Sequence, residues 1–126
     1  MGLFSSFKNS KSIDDFPWIQ LNSKNQLETI KASSYGKPII IFKHSTRCGI
    51  SSMVLKRFIS KVSQELLDKF YFYYLDLLSY RDLSNEVADS FNVLHQSPQI
   101  LVIKDGSCTF NASHYDISQV NYEKFI

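Results

Sequence analysis

The stretch PIIIFKHSTRCGISSMVLKRFI, from Pro38 to Ile59, changes its period part-way along. Up to Lys43 nearly every side chain is β-branched or aromatic, which is the composition of a strand buried on both faces. From Cys48 onward Ile50, Val54, Leu55, Phe58 and Ile59 recur at helical spacing, and the series runs on through Val62 and Leu66. That pattern predicts a helix, with Lys56, Arg57 and Lys61 on its other faces. Cys48 therefore stands where a strand has ended and a helix begins. The first N–H groups of a helix have no intrahelical partner, and the helix dipole is positive at that end. Both effects favour thiolate over thiol, and the thiolate is the nucleophile of redox chemistry. Arg47, and Lys43 if its side chain turns inward, add positive charge. Position alone equally suits a cysteine that packs at a helix start.

Three residues on, where many redox proteins carry a second cysteine, stands Ser51. A serine cannot attack a mixed disulfide, although its hydroxyl can donate a hydrogen bond to a thiolate. If Cys48 reacts, it stops at a mixed disulfide until a second, free thiol arrives. An ordinary serine in the first turn of a helix would look the same.

On either side of this stretch the chain alternates in type. An apolar run at Pro17–Leu21 can form a short strand, and Asn22 or Ser23 can cap a helix through about Ser34 that ends at Tyr35-Gly36. After the Cys48 helix, Phe70–Leu75 reads as an aromatic-rich strand, and Arg81–Phe91 as a helix burying Leu83, Val87 and Phe91. Gln99–Lys104 and Cys108–Phe110 flank Asp105-Gly106, a strong hairpin signal. Ile117–Ile126 reads as a final helix. Two parallel strands joined through a helix, then an antiparallel hairpin and a closing helix, give the order of a thioredoxin-like α/β sheet. Periodicity alone leaves this as one α/β arrangement among several.

Composition bounds the function. The 126 residues suffice for one domain, and 44% hydrophobic with 21% charged content is that of a globular protein. A net charge of +2 without a Lys/Arg run gives no argument for nucleic acid. The apolar stretches are too short to span a bilayer. Residues 1–16 read as a polar, mobile arm and 17–126 as the folded domain. The start lacks a secretory h-region, although it fits the permissive myristoylation form M-G-x-x-x-S. Two cysteines make no disulfide framework, and no C-x-x-C or His/Cys cluster suggests a metal site. The expected setting is cytoplasmic, with reduced thiols.

Ser97-Pro98 leads directly into a strand, where a proline belongs at the start or edge. A cis bond there, which sequence cannot establish, would expose the Ser97 backbone to a partner. A two-residue hairpin loop would pair Lys104 with Ser107, Ile103 with Cys108, and Pro98 with Ser113. Cys108 then lies about five residues from Pro98, roughly 16 Å at ~3.3 Å per residue. A disulfide needs Cα atoms within ~7 Å. Cys108 is thus expected to be structural. The same register returns His114 to the Pro98 end, either as a site residue or as a surface or capping histidine. His44 and His95 flank the site and could contact the thiolate or an anion, or simply be solvated.

KHSTRCGIS at Lys43–Ser51, RDLSNEVADSFNVLHQSPQILVIKDG at Arg81–Gly106 and ASHYDIS at Ala112–Ser118 together resemble the monothiol bacilliredoxin family, the YtxJ-like proteins of the bacillithiol system. The resemblance runs from about Trp18 to the C-terminus. It implies a thioredoxin-like fold, a central mixed β-sheet flanked by helices. It implies thiol–disulfide oxidoreductase activity on mixed disulfides between client proteins and bacillithiol or a related small thiol. Bacillithiol is then a co-substrate, with no bound cofactor. Cys48 matches the family's active cysteine, Ser51 its serine, and Pro98 the cis-proline position. Arg47, Ser97 and His114 are the expected substrate-binding residues. Lys43, Arg47, Lys56 and Arg57 could attract a thiol bearing carboxylates, though Lys56 and Arg57 equally suit a solvated helix face. The family usually has proline after the cysteine, where this chain has Gly49. Cys48-Gly49-Ile50-Ser51 is also similar to the C-G-F-S motif of monothiol glutaredoxins, which carry an iron–sulfur cluster, but their Gly-Gly segment is replaced by Ser113-His114-Tyr115-Asp116. A binding module with no redox cycle is the third alternative.

Overall fold

A computed structural model of the chain describes residues 15–126. The N-terminal arm expected over residues 1–16, with its myristoylation motif, lies outside the described residues through residue 14. Phe16 does not belong to a polar arm: it is 5% exposed and packs in the core.

The described chain runs β1 (Ile19–Gln20), α1 (Asn25–Ser33), β2 (Ile39–His44), α2 (Gly49–Lys61), α3 (Gln64–Lys69), β3 (Tyr71–Asp76), α4 (Arg81–Phe91), β4 (Gln99–Lys104) and β5 (Ser107–Ser113). Two 3-10 helices follow, at His114–Gln119 and Tyr122–Phe125. The five strands form one sheet in the order β1-β3-β2-β4-β5. The β1–β3 and β2–β3 pairs are parallel, whereas β2–β4 and β4–β5 are antiparallel. This is the mixed thioredoxin-like sheet that the order of elements predicts.

Every residue of β2 is buried, because its alternating side chains feed two cores. Ile40 and Phe42 join Val54, Leu55, Phe58 and Ile59 of α2 on one face. Ile39 and Ile41 join Leu27 and Ile30 of α1 and Leu83 and Val87 of α4 on the other. The rings of Phe16, Trp18, Phe42, Phe72 and Tyr122 surround Phe58, the nearest being Tyr122 at 5.3 Å between centroids.

Four local expectations are corrected. The helix after Cys48 does not run on to Leu66. Val62 and Ser63 are extended, and the Ser63 hydroxyl accepts the Leu66 N–H at 3.2 Å to start α3. A serine N-cap therefore overrides a continuous apolar period. Within α2, Ile50 is 42% exposed and does not lie on the inner face; Ser51 occupies that stripe instead. The final helix is replaced by the two 3-10 segments, with the Tyr122 hydroxyl donating to Ile117 O at 2.7 Å.

The fourth correction concerns the hairpin. Its turn is as expected: Asp105 (φ 54°) and Gly106 (φ 84°) both have positive φ, as a two-residue primed turn demands. Lys104 pairs with Ser107 and Ile103 with Cys108, but Val102 then pairs with Phe110, which leaves Thr109 as a bulge. The register shifts by one, so Ser113 faces Gln99 and not Pro98.

Phe58 is fully buried at the centre of the aromatic core. Phe58→Ala is expected to lower stability by about 3–5 kcal/mol, read from the urea unfolding midpoint.

Candidate functional site

The register brings the sequence-selected residues to one edge of the sheet. β2 ends at His44, whose neighbour across β3 is Asp76, and Lys43 pairs with Gln99 at the start of β4. The chain leaves β2 through Ser45–Arg47 to Cys48, while Ser97-Pro98 enters β4 next to the end of β2, where Lys43 pairs with Gln99. The Ser97–Pro98 bond is cis. β5 returns to the same edge, and the His114 N–H donates to Pro98 O at 2.9 Å. Backbone thus joins His114 to the proline turn, with its side chain exposed. The Ser97 hydroxyl is buried and has no hydrogen-bond partner among the described residues.

Cys48 is the N-cap of α2, with φ −103° and ψ 119°, and is partly exposed. Its carbonyl accepts the Ser52 N–H at 3.1 Å, the first bond of the helix, and its N–H donates to Ser45 O at 3.2 Å. Arg47 is exposed just before it. Gly49 is the first helical residue, and a Cβ there would meet nothing within 4 Å.

Ser51 is fully buried at the head of the inward stripe of α2. Its hydroxyl accepts the Ser45 N–H at 3.1 Å and lies 2.7 Å from His44 Nδ1. His44 is itself buried, so its proton affinity is lowered by loss of water, against an opposing pull from the Asp76 carboxylate. The sequence offered a signal for Ser51: it lies three residues before Val54 and four before Leu55, and so shares a face with both, whereas Ile50 is so spaced from Val54 alone.

Lys43 does not turn toward Cys48. As the residue before His44 in a strand, it projects to the opposite face of the sheet. Its Nζ donates to Ser84 O at 3.0 Å and lies 3.2 Å from His95 Nδ1. Burial lowers its pKa to about 8. His95, 3.3 Å from Ser84 Oγ, has its pKa lowered first by burial and then by Lys43 and Arg81. His95 therefore faces the Lys43 cluster.

Cys108 sits at the hairpin end of β4 and β5, opposite Ile103 and far along the sheet from the cis-proline turn. Its thiol donates to Phe110 O at 3.2 Å, and burial raises its pKa. Both cysteines are free. Among the described residues no helix is long and apolar enough to cross a membrane, and no three His, Cys, Asp or Glu side chains form a metal cluster.

The sequence pattern described as "Monothiol bacilliredoxin BrxC" matches residues 19–121. The chain belongs to that family. Membership makes it a thiol–disulfide oxidoreductase and implies a low-molecular-weight thiol and redox client proteins as its reactants. One similar solved structure, described as a candidate oxidoreductase with a thioredoxin fold, is 32% identical. It has a TM-score of 0.68, over 80% of this chain and 86% of that one. Thioredoxin from Malassezia sympodialis is 22% identical (TM-score 0.61, 82% and 85% covered). Mitochondrial thioredoxin 3 from Saccharomyces cerevisiae is 20% identical (TM-score 0.63, 86% and 92% covered). These two likenesses show the thioredoxin fold.

Two outcomes follow from this bacilliredoxin geometry. Cys48 already holds the extended backbone that a following proline requires, and the first helical position has room for its ring stem. Gly49→Pro is therefore expected to raise stability by about 0.4–1 kcal/mol, measured by thermal unfolding. For Lys43, a folded pKa near 8 against 10.5 unfolded means that the charged form is disfavoured in the fold. Between those values the unfolded state holds more protons, so this group makes stability rise with pH from about 8 to 10.5. Below pH 8 the full penalty remains. Lys43→Met is expected to lose that rise, which paired denaturant titrations across the interval would register.

Proposed function

We propose that Cys48 is the redox-active residue and that the enzyme removes a small thiol, bacillithiol, from protein mixed disulfides. The observation that carries this reading is the N-cap position of Cys48, with Ser51 at the place where a resolving cysteine would stand. The Cys48 thiolate attacks the small-thiol sulfur of the client mixed disulfide. A new S–S bond forms between Cys48 and the small thiol, the old one breaks, and the client cysteine leaves as thiolate. With serine at residue 51 the adduct waits for a second small-thiol molecule. That molecule's thiolate attacks the adduct's small-thiol sulfur, yields the symmetric small-thiol disulfide and returns Cys48 as thiolate.

Other residues have supporting roles in this reading. The free N–H groups at the start of α2 and the exposed Arg47 favour negative charge on sulfur. The Ser97–Pro98 turn presents backbone to the adduct, with His114 beside it. A reducing cytoplasm suits a thiol that must be regenerated. Lys43 has no part in attracting the small thiol, since its ammonium is spent on Ser84 and His95.

Intact mass spectrometry tests the assignment. Incubation with oxidised bacillithiol is expected to add one bacillithiol unit to the wild type and to Cys108→Ser, and none to Cys48→Ser. Oxidised glutathione in a parallel incubation is expected to react more slowly. An adduct mapped to Cys108 would overturn the choice of nucleophile, and faster reaction with glutathione the choice of thiol.

A further inference from the structure

The Ser51 hydroxyl has one hydrogen and two acceptor lone pairs. The Ser45 N–H can only donate, so it takes one lone pair. His44 Nδ1, 2.7 Å away, has two options. If the nitrogen carries a proton, it fills the second lone pair and the hydroxyl hydrogen must find another acceptor. If the nitrogen is bare, the hydroxyl hydrogen goes to it. The state of one ring nitrogen thus decides where the Ser51 hydrogen points. Ser51 is the third residue of α2 and Cys48 its N-cap, so the two stand three residues apart, one turn from each other on the same side of the helix start.

We propose that His44 is a positioning residue for Cys48: with a proton on Nδ1, it frees the Ser51 hydroxyl to donate to the sulfur when that sulfur is negatively charged. The proposal rests on Cys48 being the reacting residue. The imidazole is well held for this role. It is the last residue of β2, 4% exposed, with the Phe42 and Tyr74 rings 6.5 and 5.8 Å from its own. The charged group facing it is Asp76, its partner in register on β3, and the titratable Tyr74 phenol lies on the same strand.

A neutral imidazole has two tautomers, so the hydroxyl follows the charge on sulfur. With Cys48 as thiolate, the Nδ1–H form is favoured: His44 donates to Ser51, and Ser51 donates to sulfur. With Cys48 in a mixed disulfide that charge is gone, the proton sits on Nε2, and the Ser51 hydrogen turns to Nδ1. The ring gains one proton and releases one to water, and no bond at Cys48 is made or broken by the change. The arrangement stabilises the thiolate as it leaves the adduct, so the step it accelerates is regeneration of Cys48.

The test follows single-turnover loss of the preformed Cys48 adduct on adding the small thiol, by intact mass. His44→Phe keeps a ring but removes the donor, and is expected to slow regeneration about ten- to a hundredfold, the scale of one hydrogen bond to a charged group. His44→Asn places an amide N–H near the Nδ1 position and is expected to recover most of the rate. In a Ser51→Ala background, His44→Phe is expected to add no further loss. Equal slowing by Asn and Phe, or independent multiplication of the His44 and Ser51 effects, would overturn the proposal. If His44→Phe does not fold, or if the wild type forms no adduct, nitrogen NMR of the wild-type imidazole decides the matter. Nδ1 must be protonated with Cys48 as thiolate and bare once Cys48 is alkylated; an unchanged signal overturns the role of His44. Absence of any wild-type adduct overturns the proposed function separately.

Discussion

Strand β2 lies in the middle of the sheet, between β3 and β4, and neither of its faces reaches water. An apolar strand in that position is ordinary. This one carries its burial to the end, through Lys43 and His44. A buried polar group without a partner is costly, so both side chains must find one. Alternation sends them to opposite faces: His44 to Ser51 on α2, and Lys43 to Ser84 on α4 and to His95 before the proline turn. One strand end is thereby tied to elements on both faces of the sheet at the edge that carries Cys48.

The two ties differ in chemistry. Lys43 holds the α4 side through a backbone carbonyl and a ring nitrogen, which fixes the loop leading to Ser97-Pro98 against the sheet. Loss of either partner would leave a buried amine poorly satisfied, a greater penalty than the bond is worth in isolation. On the α2 side the bond joins two neutral groups that can each donate or accept. Ser51 is thus more than a missing second cysteine. Its burial and its two partners make it part of the joint between strand and helix.

The local chemistry of the chain was legible where the deciding atoms are close in sequence. The period change at Cys48, the Asp105-Gly106 turn and the span of β4 could all be read, since each depends on a few neighbouring residues. Within local reach, two signals were outweighed by stronger patterns. The apolar run through Val62 and Leu66 masked the Ser63 cap, and Ile50 masked Ser51. The bulge at Thr109 had no local marker; it appears only when β5 is laid against β4.

By itself the sequence determined the family, through its motifs, and the order of strands and helices with Cys48 at a helix start, because hydrophobic period and turn chemistry act over one or two turns of chain. Tertiary structure alone decided the direction of Lys43, whose partners lie 41 and 52 residues away. It also decided the pairing of His44 with Ser51 and the one-residue shift that sets Ser113 against Gln99. Those outcomes depend on which groups are left unsatisfied once the sheet has closed, and no local pattern encodes that.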